Sequence, residues 1–197
     1  HRYTFPELGT RSVLVDLSNS YAGMIDASLK VESDNEITGM VKSKNVCGHG
    51  YYVVYFSIQF DQPFTSYTTW EGANTGAVSE RTGTNIGVWL DFDPSAHHVI
   101  QAKVGLSPVS VEQARYEREH DIPDWDFDAQ RQRARAVWSE LLGKIEIRDP
   151  DEENKKVFYT QLYHSFLHPT NVTSSLGTFK AGRDENTVRH VSEFGDD

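Results

Sequence analysis

From Val13 to Leu106, bulky apolar residues recur at every second position, and this period constrains the fold more than any other feature of the chain. Side chains of an extended strand point alternately to its two faces, so each such run offers one face to a core. Val13, Val15 and Leu17 alternate with Leu14 and Asp16, and Ala27, Leu29 and Val31 with Ser28, Lys30 and Glu32. Tyr52, Val54, Phe56, Ile58 and Phe60 line one face of a third run. Ile86, Val88, Leu90 and Phe92 line a fourth, and Ile100, Ala102, Val104 and Leu106 a fifth. Turn-forming stretches separate them: Ser33-Asp34-Asn35, Asp61-Gln62-Pro63, Gly72 to Gly76 and Asp93-Pro94-Ser95. Half-buried strands with no helix between them pack as an antiparallel β-sandwich, because parallel pairing needs long crossovers. Phe56, Ile58, Val88, Leu90, Ile100 and Val104 are the expected core residues.

Beyond Ser107-Pro108 the period becomes helical, which makes the chain mainly β with α. Ser110, with Gln113 three residues on, is a capping-box pattern. That helix fades across Glu119 to Pro123. A second helix starts at Asp126 and carries Ala134, Val137, Trp138, Leu141, Leu142 and Ile145 at spacings of three and four, with Gly143 near its stop. Ile145-Glu146-Ile147 reads as a short strand. Asp149-Pro150-Asp151-Glu152 then opens a third helix: Asp149 caps, Pro150 suits the first turn and the acids face the positive helix end. It runs to His168, where Pro169 ends it. Its apolar residues form two lines, Phe158, Leu162 and Phe166 beside Tyr159, Tyr163 and Leu167, a wider face than a surface helix uses. Thr170 to Asp197 shows no periodicity and reads as a loop; so long a structureless tail suggests a domain that continues.

Composition narrows the chemistry. The 197 residues are 38% apolar with a mean hydropathy of −0.55, as in a water-soluble globular protein. A net charge of −10 repels nucleic-acid backbones and anionic membranes, so neither is expected as a partner. No apolar run is long enough to span a bilayer, and no signal-peptide pattern stands at the N-terminus. Cys47 is the only cysteine, which excludes an internal disulfide and a thiolate cluster. Gly-x-Ser-x-Gly and phosphate-cradling glycine loops are absent.

The possible sites are few. Asp124 and Asp126 flank Trp125, which suits a sugar platform beside two carboxylates, though a cap at Asp126 with Trp125 stapling the turn is the preferred reading. His97-His98, if on a strand, point to opposite faces and cannot share an ion. His164 and His168 stand four apart on one helix face, in chelating register, but without the glutamate of a zinc-protease helix. Asp184-Glu185 and Asp196-Asp197 offer oxygen ligands without the spacing of a calcium loop. Asn171-Val172-Thr173 fits a glycosylation sequon.

Several blocks, in order, resemble family 92 of the glycoside hydrolases. Phe56-Ser57-Ile58-Gln59-Phe60-Asp61-Gln62-Pro63-Phe64 looks like that family's strand ending in Pro and Phe. Lys103 to Ala114 looks like its last sandwich strand and first linker helix. Trp125-Asp126-Phe127-Asp128 and Ala136 to Ile145 resemble its second linker helix, and Phe158 to Pro169 its first catalytic-domain helix. The blocks cover most of residues 50 to 170.

The resemblance implies a calcium-dependent exo-α-mannosidase that inverts the anomeric carbon. Its fold would be an N-terminal sandwich over 1–108, a helical linker over 109–149 and, over 150–197, the start of an (α/α)6 barrel. It further implies α-1,2-mannosidase-like action on a mannose-containing glycan, a role in N-glycan degradation, a bacterial source and a secreted, periplasmic or cell-surface location. The family's acid Glu, base Asp and calcium ligands match positions beyond Asp197, so no catalytic or metal residue is carried onto this chain, and its substrate-binding residues are unknown. The expected partners are the remainder of the catalytic domain and, without it, a second copy of the chain. Gly177-Thr178-Phe179-Lys180 departs from the family's usual Asp-x-x-Gly-aromatic pattern, so linkage is not read from it. The competing reading is a non-catalytic carbohydrate-binding or adhesion sandwich; a structural domain of a surface protein ranks below both.

Overall fold

The computed structural model describes residues 1–45, 50–168, 171, 173–180 and 187–194. Ten strands come first: β1 (Arg2–Thr4), β2 (Arg11–Asp16), β3 (Met24–Val31), β4 (Glu36–Lys44), β5 (Tyr51–Phe60), β6 (Phe64–Glu71), β7 (Asn74–Gly76), β8 (Glu80–Thr82), β9 (Ile86–Phe92) and β10 (Val99–Ser107). Helices α1 (Val111–Asp121), α2 (Phe127–Leu142) and α3 (Glu152–Ser165) follow, then β11 (Thr178–Lys180), β12 (Val188–His190) and a 3₁₀ turn at Val191–Phe194. The chain forms two compact units, His1–Trp125 with Thr173–Asp197, and Asp126–Val172.

The first unit is the antiparallel sandwich. One sheet runs β1-β10-β5-β4-β3-β8 and the other β2-β9-β6-β7. Ala27, Leu29, Ile37, Phe56, Phe60, Ile100 and Ala102 of the first sheet form one buried cluster with Ile86, Val88, Leu90 and Phe92 of the second. Phe60 meets Phe92 edge to face with centroids 5.3 Å apart, a favoured aromatic geometry.

The outer face of the larger sheet departs from simple alternation because α1 covers part of it. Ser57, Lys103 and Ser107 are buried although they point away from the core. Gly105 permits this: a Cβ there would stand 2.0 Å from the Ala114 carbonyl oxygen. Ser110 caps α1 by accepting from the Gln113 amide. Gln113 does not complete a capping box; its Nε2 donates to Glu117 instead, at 2.6 Å.

Several expectations are corrected. Val104 is only half buried and Leu106 is 58% exposed, because β1 flanks only Val99 to Gln101 and leaves the rest of β10 an edge. Residues 145–147 form no strand. Asp151, not Asp149, caps α3, accepting from the Glu153 amide, while Asp149 accepts from the Asp151 amide one turn earlier. α3 stops at Ser165, short of His168; Pro169 lies outside the described residues. The segment read as a loop instead holds the β11–β12 pair, and the Ser175 amide bonds Glu117 at 2.8 Å.

In the second unit Trp138 of α2 lies 4.7 Å from Tyr163 of α3, and the Tyr159 hydroxyl donates to the Ile145 carbonyl at 3.2 Å. Neither helix buries a residue fully. Val137, Val157, Tyr163, Phe166 and Leu167 are exposed.

Two substitutions test the sandwich. Phe56→Ala removes a buried ring and should cost about 3–5 kcal/mol in urea unfolding. Gly105→Ala should also destabilise, by pushing α1 off the sheet. A loss under about 1 kcal/mol for Phe56→Ala would contradict this core.

Candidate functional site

Glycoside hydrolysis uses a carboxylic acid whose pKa is raised and a second carboxylate across the scissile bond. In this chain several of the described carboxylates are drawn into structural roles. Glu36, at the start of β4, is the most heavily bonded: its Oε1 accepts from Arg115 Nε at 2.8 Å, Arg118 NH1 at 2.9 Å and Ser57 Oγ at 2.8 Å. Burial pushes the Glu36 carboxyl up, but the bonds from Arg115, Ser57 and Arg118 outweigh it and hold its pKa below the ordinary value. Arg118 is 2% exposed and also reaches Glu119 at 3.1 Å. Burial likewise pushes Glu117 up, and the Ser175 hydroxyl and amide bring it below normal. Asp16, beside Ser18, and Asp93, beside Ser95, are also lowered. Among the described residues, each carboxyl with a resolved shift is thus made a weaker base, the opposite of a catalytic acid.

The Asp124-Trp125-Asp126 stretch divides between roles. Asp126 caps α2, its Oδ1 accepting from the Ala129 amide at 2.9 Å. The Trp125 ring faces Lys103, whose Nζ lies 4.4 Å from the ring centroid. Burial lowers the Lys103 pKa, the Asp124 charge opposes that, and Arg118 adds to it. This is a cation held against an indole, not a bare sugar platform.

The histidines do not converge. His97 and His98 lie in the exposed turn before β10, not on a strand. His164 is on α3 and His168 beyond its end, so they share no helix face. Among the described residues, no group of three or more His, Cys, Asp or Glu could hold a metal ion. The described residues therefore do not fit the calcium that the resemblance implies. Cys47, Val172, Asp184, Glu185, Asp196 and Asp197 lie outside the described residues.

Among the described residues, two of the open grooves lie on the sandwich. One, of about 470 Å³, lies between Val31 to Asp34 and Phe64 to Tyr67. The other, of about 710 Å³, is bordered by Tyr21, Ile25, Lys44 and Tyr51. In the first, Glu32 already binds Thr38 at 2.9 Å and Lys30 at 3.2 Å.

The sequence reading missed the Glu36–Arg115–Arg118–Ser57 cluster. Its one visible sign is two arginines three apart on α1, a spacing that puts both on one helix face.

Comparison with known proteins gives the wider context. Residues 1–107 match the glycosyl hydrolase family 92 N-terminal domain, and residues 113–194 match the family 92 catalytic domain. An uncharacterized secreted glycosidase of Arthroderma benhamiae is 26% identical over 199 residues, covering 88% of this chain and 26% of the relative. The solved structure of a family 92 glycosyl hydrolase, ccman5, superposes with a TM-score of 0.88 at 35% identity, over 98% of this chain and 26% of that one. A family 92 α-mannosidase from Bacteroides thetaiotaomicron gives 0.85 at 26% identity, over 97% and 26%. An inverting mannosidase from the same bacterium shares the fold, with a TM-score of 0.83 at 24% identity over 96% and 26%. The chain thus spans about a quarter of the length of these relatives.

The cluster makes a pH-dependent contribution to stability. Glu36→Gln leaves Arg118 buried beside a neutral amide and should cost about 3 kcal/mol at neutral pH. Because the folded pKa of Glu36 is depressed, its stabilisation is complete above the unfolded value, about 4.3, and fades as pH falls through the folded value. Unfolding curves of parent and variant should therefore converge in acid. Curves that stay parallel from pH 7 downward would remove Glu36 from this role.

Proposed function

The chain belongs to glycosyl hydrolase family 92, and we propose that it supplies the N-terminal sandwich, linker and first catalytic-domain helix of an α-mannosidase. The observation that carries this reading is the order of the two domain matches, over residues 1–107 and 113–194, on a fold that superposes along nearly its whole length. The match to a catalytic domain also disfavours a purely adhesive sandwich. The proposed division is sandwich over 1–108, linker over 109–149 and barrel start over 150–197.

The proposed reaction releases mannose from a mannose-containing glycan with inversion. In that chemistry one carboxylic acid protonates the leaving oxygen while a carboxylate activates water on the opposite face of the sugar. The family resemblance assigns both groups, together with the calcium ligands, to chain beyond residue 197; the carboxyls with resolved shifts, all lowered, suit neither role. An α-1,2 preference, N-glycan substrates and a bacterial source remain parts of the proposal. So does a secreted, periplasmic or surface location; the Arthroderma relative is labelled secreted. Among the described residues, no helix is long and apolar enough to cross a membrane.

The frame has a defined contribution. α1 is locked to the sandwich through Arg115 and Arg118, which gives the linker a fixed starting point. The exposed apolar residues of α2 and α3 suit a surface that further catalytic-domain helices cover.

Two outcomes follow. The 197-residue chain alone should release no mannose from aryl α-mannosides or mannobiose with calcium present, whereas a longer polypeptide carrying the rest of the domain should release β-mannose, read by proton NMR. Turnover by the short chain that is lost on mutating one of its own acids would place the active site within it. In sedimentation the short chain should self-associate, and Phe166→Ser with Leu167→Ser should return it to monomer. A monomeric parent would show that this face needs no cover.

A further inference from the structure

The outer face of the β2-β9-β6-β7 sheet carries chemistry that neither the core nor the α1 cluster uses. Strand pleating turns Val13, Val15, Val88 and Leu90 inward. It therefore turns Leu14, Asp16, Gly87, Trp89, Asp91 and Trp70 outward. The register sets Leu14 opposite Trp89, Asp16 opposite Gly87, and Gly87 opposite Trp70. Trp89 is 47% exposed and Leu14 52%, although β9 lies inside the sheet.

The two indoles are held in place. Their centroids are 5.5 Å apart and their planes tilt by 52°. Trp70 lies over the bare backbone of Gly87, where a Cβ would stand 2.2 Å from Trp70 Cη2 and Cζ2. Beside them Asp91 accepts from Ser12 Oγ at 2.5 Å and from Ser66 Oγ at 3.2 Å. The face is thus two fixed aromatic surfaces bordered by a carboxylate and hydroxyls.

We propose that this face binds a neutral pyranoside. A pyranose has an apolar C–H face suited to an indole and a rim of hydroxyls suited to carboxylate and hydroxyl partners. The aromatic area is interrupted by Ser12, Ser66, Thr68 and Asp91, so it lacks the continuous apolar centre of a protein interface. No Lys or Arg stands among the outward positions of β2, β6 and β9, and Asp16 and Asp91 repel anions, which excludes sulfated sugars and nucleic acids. Mannan as the first probe rests on the proposed mannosidase reading; the aromatic face itself does not.

The test is affinity electrophoresis and calorimetry of the 197-residue chain with yeast α-mannan, a neutral β-glucan and heparin. At least one neutral polymer should bind and heparin should not. Trp89→Ala should weaken binding about tenfold or more, since truncating an aromatic anchor removes much of a site's affinity. Trp89→Phe should keep part of it. Trp89 is half exposed, so its variants should keep the parent's circular dichroism and melting temperature; Trp70→Ala, which uncovers Gly87, serves as a second variant. Binding to glucan but not mannan supports the face and counts against the mannose reading. No binding to either neutral polymer overturns the face and leaves the hydrolase reading to its anomer assay. Binding that survives both Trp89→Ala and Trp70→Ala, or self-association abolished by Trp89→Ala without glycan binding, also overturns it.

Discussion

The guanidinium of Arg118 is the group on which the sandwich–helix junction depends. It is 2% exposed and lies between Glu36 of β4 and Ser57 of β5, with bonds of 2.9 and 2.6 Å. A buried ion pair gives little net stability, because desolvating both charges offsets their attraction. Its effect is positional: moving α1 along the sheet would strand a charge away from water. Among the described residues Arg118 Nε has no hydrogen-bond partner, so the arrangement has little tolerance left. Arg115 reinforces it from the next turn toward the helix start. Gly105 then brings the helix backbone close enough for those side chains to reach the sheet.

Where one side of a strand is covered, the amino-acid pattern announces it. Ile86, Val88, Leu90 and Phe92 alternate with exposed or small residues, and all four are buried. Where both sides are covered, alternation disappears. On β4, Ile37 faces the core and Thr38, beside Ser57, the other side, yet both are buried; nothing in the period marks that strand. β6 is obscured for another reason, since its register shifts between Phe64 and Ser66. The strands β11 and β12 have three residues each, too few to show a period.

The candidate site was less legible because its physics is non-local. Glu36 and Arg118 are 82 positions apart, and their bond exists only once α1 lies on the sheet. Local signals fared better: Ser110 and Asp126 cap their helices as their neighbourhoods suggest. The cap at α3 moved by two residues because Asp149 and Asp151 offer the same chemistry, and the Asp149 turn hands the helix start to Asp151. The indole pair was hidden for a similar reason. Trp70 and Trp89 become neighbours through β6–β9 pairing, not through chain proximity.

The bond between Ser175 and Glu117 has a topological consequence. Chain that leaves the sandwich unit after Trp125 comes back to it at Thr173, so the α2–α3 unit is an insertion tethered at both ends. The double tether changes what a backbone break does. A protease nick inside the insertion would leave the segment that returns at Thr173 attached through the Ser175–Glu117 bond and its packing in the sandwich unit, not by covalent continuity. The nicked protein would migrate as one species under native conditions and as two once denatured.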